Sequence, residues 1–210
     1  MNSIAVFNNK GGVGKTTLLC NIAAYYRLIC HKRVLVIDAD PQCNATTYLL
    51  DDNKIEEVYS NETNKTLYDY IEPYQSGDNP IDIPILKSDG FGVDLVIGDT
   101  RLALMEDFLS GEWADTSKAI QRSIKTVCFL KKLYIDLREQ YDFIFVDIGP
   151  SLGVLNRLIL LFQMVLSCQL QVIFFVCVQS ITSQKQLLNG RKPLINFKKS
   201  IMTLKNNFLV

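Results

Sequence analysis

Histidine is almost missing from this chain: His31 is the only one in 210 residues. Six cysteines are present, Cys20, Cys30, Cys43, Cys128, Cys168 and Cys177, but no two form a C-x-x-C pair. That combination argues against a Cys/His zinc site and against a disulfide framework, and leaves reduced thiols as the expected state. The N-terminus has no basic segment leading into an apolar stretch and a cleavage site, so no signal peptide is inferred. Internal repeats and a linker to a second domain are also lacking. At 48% hydrophobic residues the chain can bury one good core.

Acidic residues are missing from one part of the chain only. Residues 1–150 hold all 22 acids and 15 Lys/Arg, a net charge of −7, and the last acid is Asp147. Residues 151–210 hold seven Lys/Arg and no acid, a net of +7. A shift this sharp points to a basic tail for nucleic acid or to a segment of different origin. The same region contains an uncharged run of 27 residues, Leu158 to Gln184, long enough to span a membrane. Gln163, Gln169, Gln171 and Gln179 lie along it, and a membrane span rarely carries so many amides.

What is present is concentrated at the front. Ser3–Phe7 reads as a short apolar strand, Asn8–Thr17 is "NNKGGVGKTT", and "LLCNIAAYYRLI" follows with helical spacing. Strand, glycine loop and helix form the setting of a phosphate-binding loop. The pattern departs from G-x-x-x-x-G-K-[ST] in that Asn9 occupies the first glycine position and Lys10 follows it. Gly11, Gly12 and Gly14 permit close backbone approach, and the N–H groups from Gly11 through Val13 to Thr17 can converge on phosphate oxygens at the positive end of the helix. Lys15 would reach the β- and γ-phosphates, the Thr16 hydroxyl would hold Mg²⁺, and Thr17 could bond the α-phosphate.

Two apolar strands ending in acids complete the pattern. "KRVLVIDADPQCNAT" (Lys32–Thr46) carries Asp38 and Asp40 at the carboxyl end of its apolar run, where α/β folds place their ligands. "YDFIFVDIGPSLG" (Tyr141–Gly153) ends its apolar run at Asp147. Together with the second lysine at position 10, these blocks resemble the deviant Walker A ATPases of the ParA/MinD family, and "DADPQCNAT" resembles the ParA/Soj branch. The resemblance covers residues 1–161 and implies a P-loop NTPase fold, an α/β three-layer sandwich with a mostly parallel sheet. It implies ATP and Mg²⁺ as ligands, with Lys10, Lys15 and Asp40 as catalytic residues and Thr16, Asp38 and Asp147 around the metal. In the family the first lysine crosses a dimer interface to the other subunit's nucleotide, and Asp40 would orient the attacking water. Asp147 would reach the metal through water. The family pattern D-x-P-P-S-L-G has Gly149 in place of its first proline here. Gly149 and Gly153 could let that segment move as a switch.

The function implied is an ATP hydrolase of the partition type. ATP would favour a homodimer that binds DNA nonspecifically, a ParB-like partner would stimulate release, and plasmid or chromosome cargo would be positioned. The location implied is cytoplasmic and nucleoid-associated, without stable membrane insertion. Two alternatives stand beside it: a truncated, catalytically inactive product, and a membrane-associated positioning ATPase like MinD.

In the middle of the chain, residues 51–89 read as loops around one short helix, "TLYDYI". Residues 91–98 read as a strand and 100–109 as an amphipathic helix. One long helix is expected from Ala119 to Glu139, with Ile120, Ile124, Val127, Leu130, Leu133, Tyr134 and Leu137 on its buried face. Lys118, Arg122, Lys125 and Lys132 are candidate DNA contacts, though a solvated helix face is the favoured reading. After Leu161 the resemblance stops. Reading the codons of residues 162 onward from their third base permits an acidic turn, a strand ending in proline and an amphipathic helix. Met164–Val165 is then forced to glycine, and Gln163–Met164 to Asp or Asn. Residues 162–210 are therefore expected to be an out-of-frame tail behind an incomplete ATPase domain, residues 1–161.

Overall fold

The computed structural model describes residues 2–61, 65–170 and 175–176. The chain opens with strand β1 (Asn2–Phe7), the glycine loop and helix α1 (Lys15–Leu28). Strand β2 (Val34–Asp38) follows, then helices α2 (Asn44–Leu49), α3 (Asp52–Ser60), α4 (Leu67–Ile71) and α5 (Pro73–Ser76). Short strands β3 (Leu86–Lys87) and β4 (Asp94–Val96) precede a 3₁₀ turn at Thr100–Leu104 and helix α6 (Met105–Thr116). Helices α7 (Gln121–Val127) and α8 (Phe129–Leu137), strand β5 (Phe143–Asp147), helix α9 (Val154–Leu170) and strand β6 (Phe175–Val176) complete the order.

The strands form one sheet in the order β3-β4-β2-β5-β1-β6. Among the described residues, only the β3–β4 pair is antiparallel. All five residues of β2 are buried, which is why its sequence is a continuous apolar run rather than an alternation. The pleat sends alternate side chains to opposite layers. Leu35, Ile37, Ile144 and Val146 enter the core beneath α4 to α9. Val34, Val36 and Phe145 pack with Leu19, Cys20 and Ala23 of α1 in a second core. Each buried Leu or Ile contributes about 1.5–3 kcal/mol relative to exposure, so the two cores tie three layers together. The fold is the α/β P-loop NTPase sandwich with a mostly parallel sheet.

Several elements differ from the sequence reading. The stretch 51–89 is more helical than expected. The Asp51 side chain accepts from the Lys54 amide and starts α3, and a reciprocal Thr66/Asp69 capping box starts α4. The strand expected over 91–98 shrinks to Asp94–Val96, because Gly92 turns the chain at φ 67° and its N–H bonds back to the Ser88 carbonyl. The helix expected over 100–109 divides into the 3₁₀ turn and α6. The single helix expected over 119–139 is two. Cys128 sits at φ −92°, ψ 10°, and that kink lets Val127 and Phe129 both enter the core. Ile120, expected on the buried face, is the extended residue before α7 and is 40% exposed.

Helix α9 crosses residue 161: Phe162 and Gln163 are buried, and Gln163 donates to the Ser3 hydroxyl (2.7 Å) and the Tyr134 hydroxyl (2.8 Å). The out-of-frame reading concerns mostly residues beyond 170, outside the described residues apart from 175–176. Among the described residues, no helix is long and apolar enough to cross a membrane.

Candidate functional site

The carboxyl ends of β1, β2 and β5 lie side by side, with Asp38 paired in register with Asp147, and Val6 of β1 with Asp147 on the other side. Every sequence-predicted acid is carried here by a central strand or the turn just after it. The glycine loop leaves β1 over the same edge. Asn8 is buried and its side-chain oxygen accepts from the Lys10 amide (3.0 Å), which sets the start of the loop. Gly12 and Gly14 hold φ 69° and 79°, a left-handed backbone that side chains disfavour. Among the described residues, no atom beyond the chain neighbours stands within 4 Å of where a Cβ would project from Gly11, Gly12 or Gly14, so these residues leave the loop open.

Helix α1 begins at Lys15 with no side-chain cap and no acid in its first turn. Its first N–H groups are thus left without a side-chain cap at the positive end of a 14-residue helix, a geometry suited to an anion. The Lys15 ammonium lies across the loop, 3.4 Å from the Lys10 carbonyl. Lys10 and Val13 are exposed on the loop, and Thr17 is exposed with its carbonyl accepting from the Asn21 side-chain Nδ2 (2.7 Å).

Thr16 and Asp147 meet directly: the Thr16 hydroxyl donates to Asp147 Oδ2 at 2.7 Å. Asp147 is fully buried, and among the described residues its Oδ1 has no hydrogen-bond partner of good geometry, the neighbouring Ile148 amide acting on the carboxyl only weakly. Burial pushes its carboxyl up to about 6, against the lowering effect of the Thr16 hydroxyl; the neighbouring charge of Asp40 raises it further and Lys15 opposes. A buried carboxylate oxygen without a donor is costly and suits a cation. Among the described residues no cluster of three or more His, Cys, Asp or Glu is arranged to hold a metal alone. One hydroxyl and one carboxylate fit Mg²⁺, which takes few protein ligands and draws the rest from water and phosphate oxygens.

Asp38 has a different seat. Its Oδ2 accepts from both the amide and the hydroxyl of Thr46 (2.7 Å each), and its Oδ1 from the Asp40 amide (3.2 Å). Burial pushes Asp38 up to about 7 despite those bonds. Thr46 also receives the Gly98 amide at 2.9 Å, and a Cβ on Gly98 would lie 2.9 Å from the Asp38 carboxyl carbon. Asp38 thus joins the ends of β2 and β4 to α2, and it does not contact Thr16.

Asp40, 5% exposed, accepts from the Gln42 amide (3.0 Å) and lies against Gly149, where a Cβ would come within 3.1 Å of its Oδ1. The Asn156 side chain of α9 donates to the carbonyls of Gly149 (3.0 Å) and Ser151 (2.9 Å) and holds that loop. Thr46, Gly98 and Asn156 are contributors that the sequence reading missed. Thr46 stands inside the quoted "DADPQCNAT" stretch, but nothing in its spacing marks it as a partner of Asp38. The thiols of Cys20, Cys43 and Cys128 are each pushed up to about 12, chiefly by burial, which makes them unreactive.

A protein-family model described as an AAA domain matches residues 1–209. The chromosome partitioning protein ParA of Caulobacter vibrioides is 31% identical over 153 residues, 73% of this chain and 49% of the relative. The chain belongs to the ParA/Soj family. It spans about half the length of the curated ParA/Soj relatives it matches. A crystal structure of a Corynebacterium diphtheriae protein matches this ParA/Soj chain with TM-score 0.72 and 38% identity, over 77% of the chain and 56% of the other. Cobyrinic acid a,c-diamide synthase from Mycobacterium smegmatis, solved with ADP and magnesium, matches with TM-score 0.56 and 26% identity, over 74% and 54%.

Proposed function

We propose that this chain carries the nucleotide site of a ParA/Soj-type partition ATPase. The observation that carries the reading is the Thr16–Asp147 pair with an unpartnered carboxylate oxygen, beneath a glycine loop open at the N-terminus of α1. In this reading the amides of Gly11 to Thr17, Val13 included, bind the phosphates, and Lys15 neutralises their charge. Thr16 would hold Mg²⁺, with Asp147 and Asp38 reaching it through water. When bound, the metal supplies charge neutralisation across the phosphate oxygens. Asp40 orients water for attack. Lys10, exposed on the loop, serves the partner subunit's nucleotide in a homodimer. The ATP-bound dimer binds DNA nonspecifically, and a ParB-like protein stimulates hydrolysis and release. The location proposed is the nucleoid.

Molar mass in solution with ATP, with ADP and with Lys15→Ala tests this. A dimer with ATP alone, lost in Lys15→Ala, supports it; a monomer under all three conditions contradicts it. A second reading, an inactive product with residues 162–210 out of frame, draws on the absence of acids after Asp147. The gene's nucleotide sequence decides it: early stops in the shifted frame remove that reading.

A further inference from the structure

Helix α9 starts at Val154 directly after Gly153, and a glycine has no side chain with which to cap a helix. The cap comes from another element. Glu106, in the first turn of α6, accepts the Val154 amide on Oε2 at 2.6 Å. Its carboxylate occupies the space where a Cβ on Gly153 would project, 2.6 Å from that position at its Cδ. The φ of Gly153 lies outside the left-handed region, so the glycine is required here by space and not by backbone conformation. One carboxylate therefore serves two helix N-termini, that of α6 along the chain and that of α9 across space.

The consequence runs toward the candidate site. The first turn of α9 carries Asn156, whose side chain holds the carbonyls of Gly149 and Ser151. Gly149 lies against Asp40. Between Asp147 and Val154 the loop is thus pinned at its far end by a residue of α6 and presses at its near end on Asp40.

We propose that Glu106 is a positioning residue: by capping α9 it holds the loop of residues 148–153 against Asp40, so that this loop and α6 move together. The assignment deepens the ATPase reading, on which it rests for the meaning of Asp40, but the pinning itself stands on the contacts above.

Amide hydrogen exchange on the full chain tests it, in the parent, Glu106→Ala, Glu106→Gln, Gly153→Ala and the Glu106→Ala/Gly153→Ala double variant. Without nucleotide, Glu106→Ala is expected to speed exchange over residues 148–156 by about tenfold or more while β2 and β5 keep parent rates. Glu106→Gln keeps an oxygen acceptor for the Val154 amide and restores slow exchange. Gly153→Ala speeds the same residues in the parent but adds little in Glu106→Ala, where the seat has been vacated. Parent rates in Glu106→Ala, failure of glutamine to rescue, or equal effects of Gly153→Ala in both backgrounds overturn the proposal. Should Glu106→Ala lose protection throughout β2 and β5, the chain has unfolded, and Glu106→Gln against Gly153→Ala decides instead. With ATP and Mg²⁺, the parent loop is expected to slow further. Glu106→Ala still binds nucleotide but loses that added protection. Absence of nucleotide binding in the parent overturns the ATPase reading alone, because the nucleotide-free exchange rates still decide the role of Glu106.

Discussion

The two ends of the sheet treat the same residue type in opposite ways. At the amino end, Asp142 is met by Arg33 at 3.0 Å and by the Arg33 amide at 2.9 Å, and its carboxyl is held below the usual range by that guanidinium. Asp94 beside it accepts from the Tyr141 hydroxyl. A cavity of about 360 Å³ lies there, lined by Arg27, Arg33 and Lys87, but its basic side chains are largely occupied: Arg27 donates to the Gly92 carbonyl and Arg33 to Asp142 and the Glu139 carbonyl. At the carboxyl end, Asp38 and Asp147 are fully buried and pushed up to about 7 and about 6, and among the described residues neither forms a salt bridge. The amino end is a solvated surface with its charges matched. The carboxyl end holds carboxylates at a cost to stability, and the proposed cation and nucleotide site rests on that placement.

The largest expected effect belongs to the carboxyl end. Lys15→Ala should weaken nucleotide binding about 100-fold, on the order of 3 kcal/mol, through loss of the charge facing the phosphates. Fluorescence titration with an ATP analogue reads it. Next, Thr46→Val removes the hydroxyl from Asp38 Oδ2 and the acceptor from the Gly98 amide. It should destabilise the chain by about 2–3 kcal/mol, read by urea unfolding, with Thr46→Ser close to the parent.

The pH dependence follows in size. The folded chain holds protons on Asp38 up to about pH 7 and on Asp147 up to about pH 6, whereas the unfolded chain releases them near pH 4. The folded state binds more protons in that window, so stability should fall as pH rises from about 4 to about 7 and level off above it. Asp38→Asn and Asp147→Asn should each flatten the curve; a melting temperature that rises through the window contradicts the assignment.

Gly149→Ala is subtler. Its Cβ would press on Asp40 at 3.1 Å, so hydrolysis should slow about tenfold with nucleotide affinity kept. The smallest effect is expected at the other end. Asp142→Asn breaks an exposed pair and should leave the melting temperature near that of the parent. A large loss there would break the contrast between the two ends.

Much of the site was legible in the sequence because it is local. The glycine loop, Lys15 and Thr16 occupy consecutive positions, and β2 and β5 announce themselves as apolar runs ending in acids. That Thr16 would meet Asp147 required the parallel pairing of β1 with β5, which the sequence reading did not specify beyond a mostly parallel sheet. Contacts between distant segments left no such trace. Thr46 reads as a turn residue and Glu106 as one acid in an amphipathic helix, and only the fold brings them to Asp38 and Val154. Helix boundaries failed where the backbone departs from regular geometry. Cys128 breaks a smooth 3.6-residue period with no proline or glycine to signal it, and α3 has too few apolar residues for its periodicity to stand out from loop.

The most direct test of the central claim is equilibrium binding of an ATP analogue to the full, folded chain, with Mg²⁺, with a chelator in its place, and in Lys15→Ala. Saturable binding that needs Mg²⁺ and disappears in Lys15→Ala is the predicted result. A chain that is folded by circular dichroism yet binds nothing, or binds equally well without Lys15, would contradict the assignment of the carboxyl end as the nucleotide site.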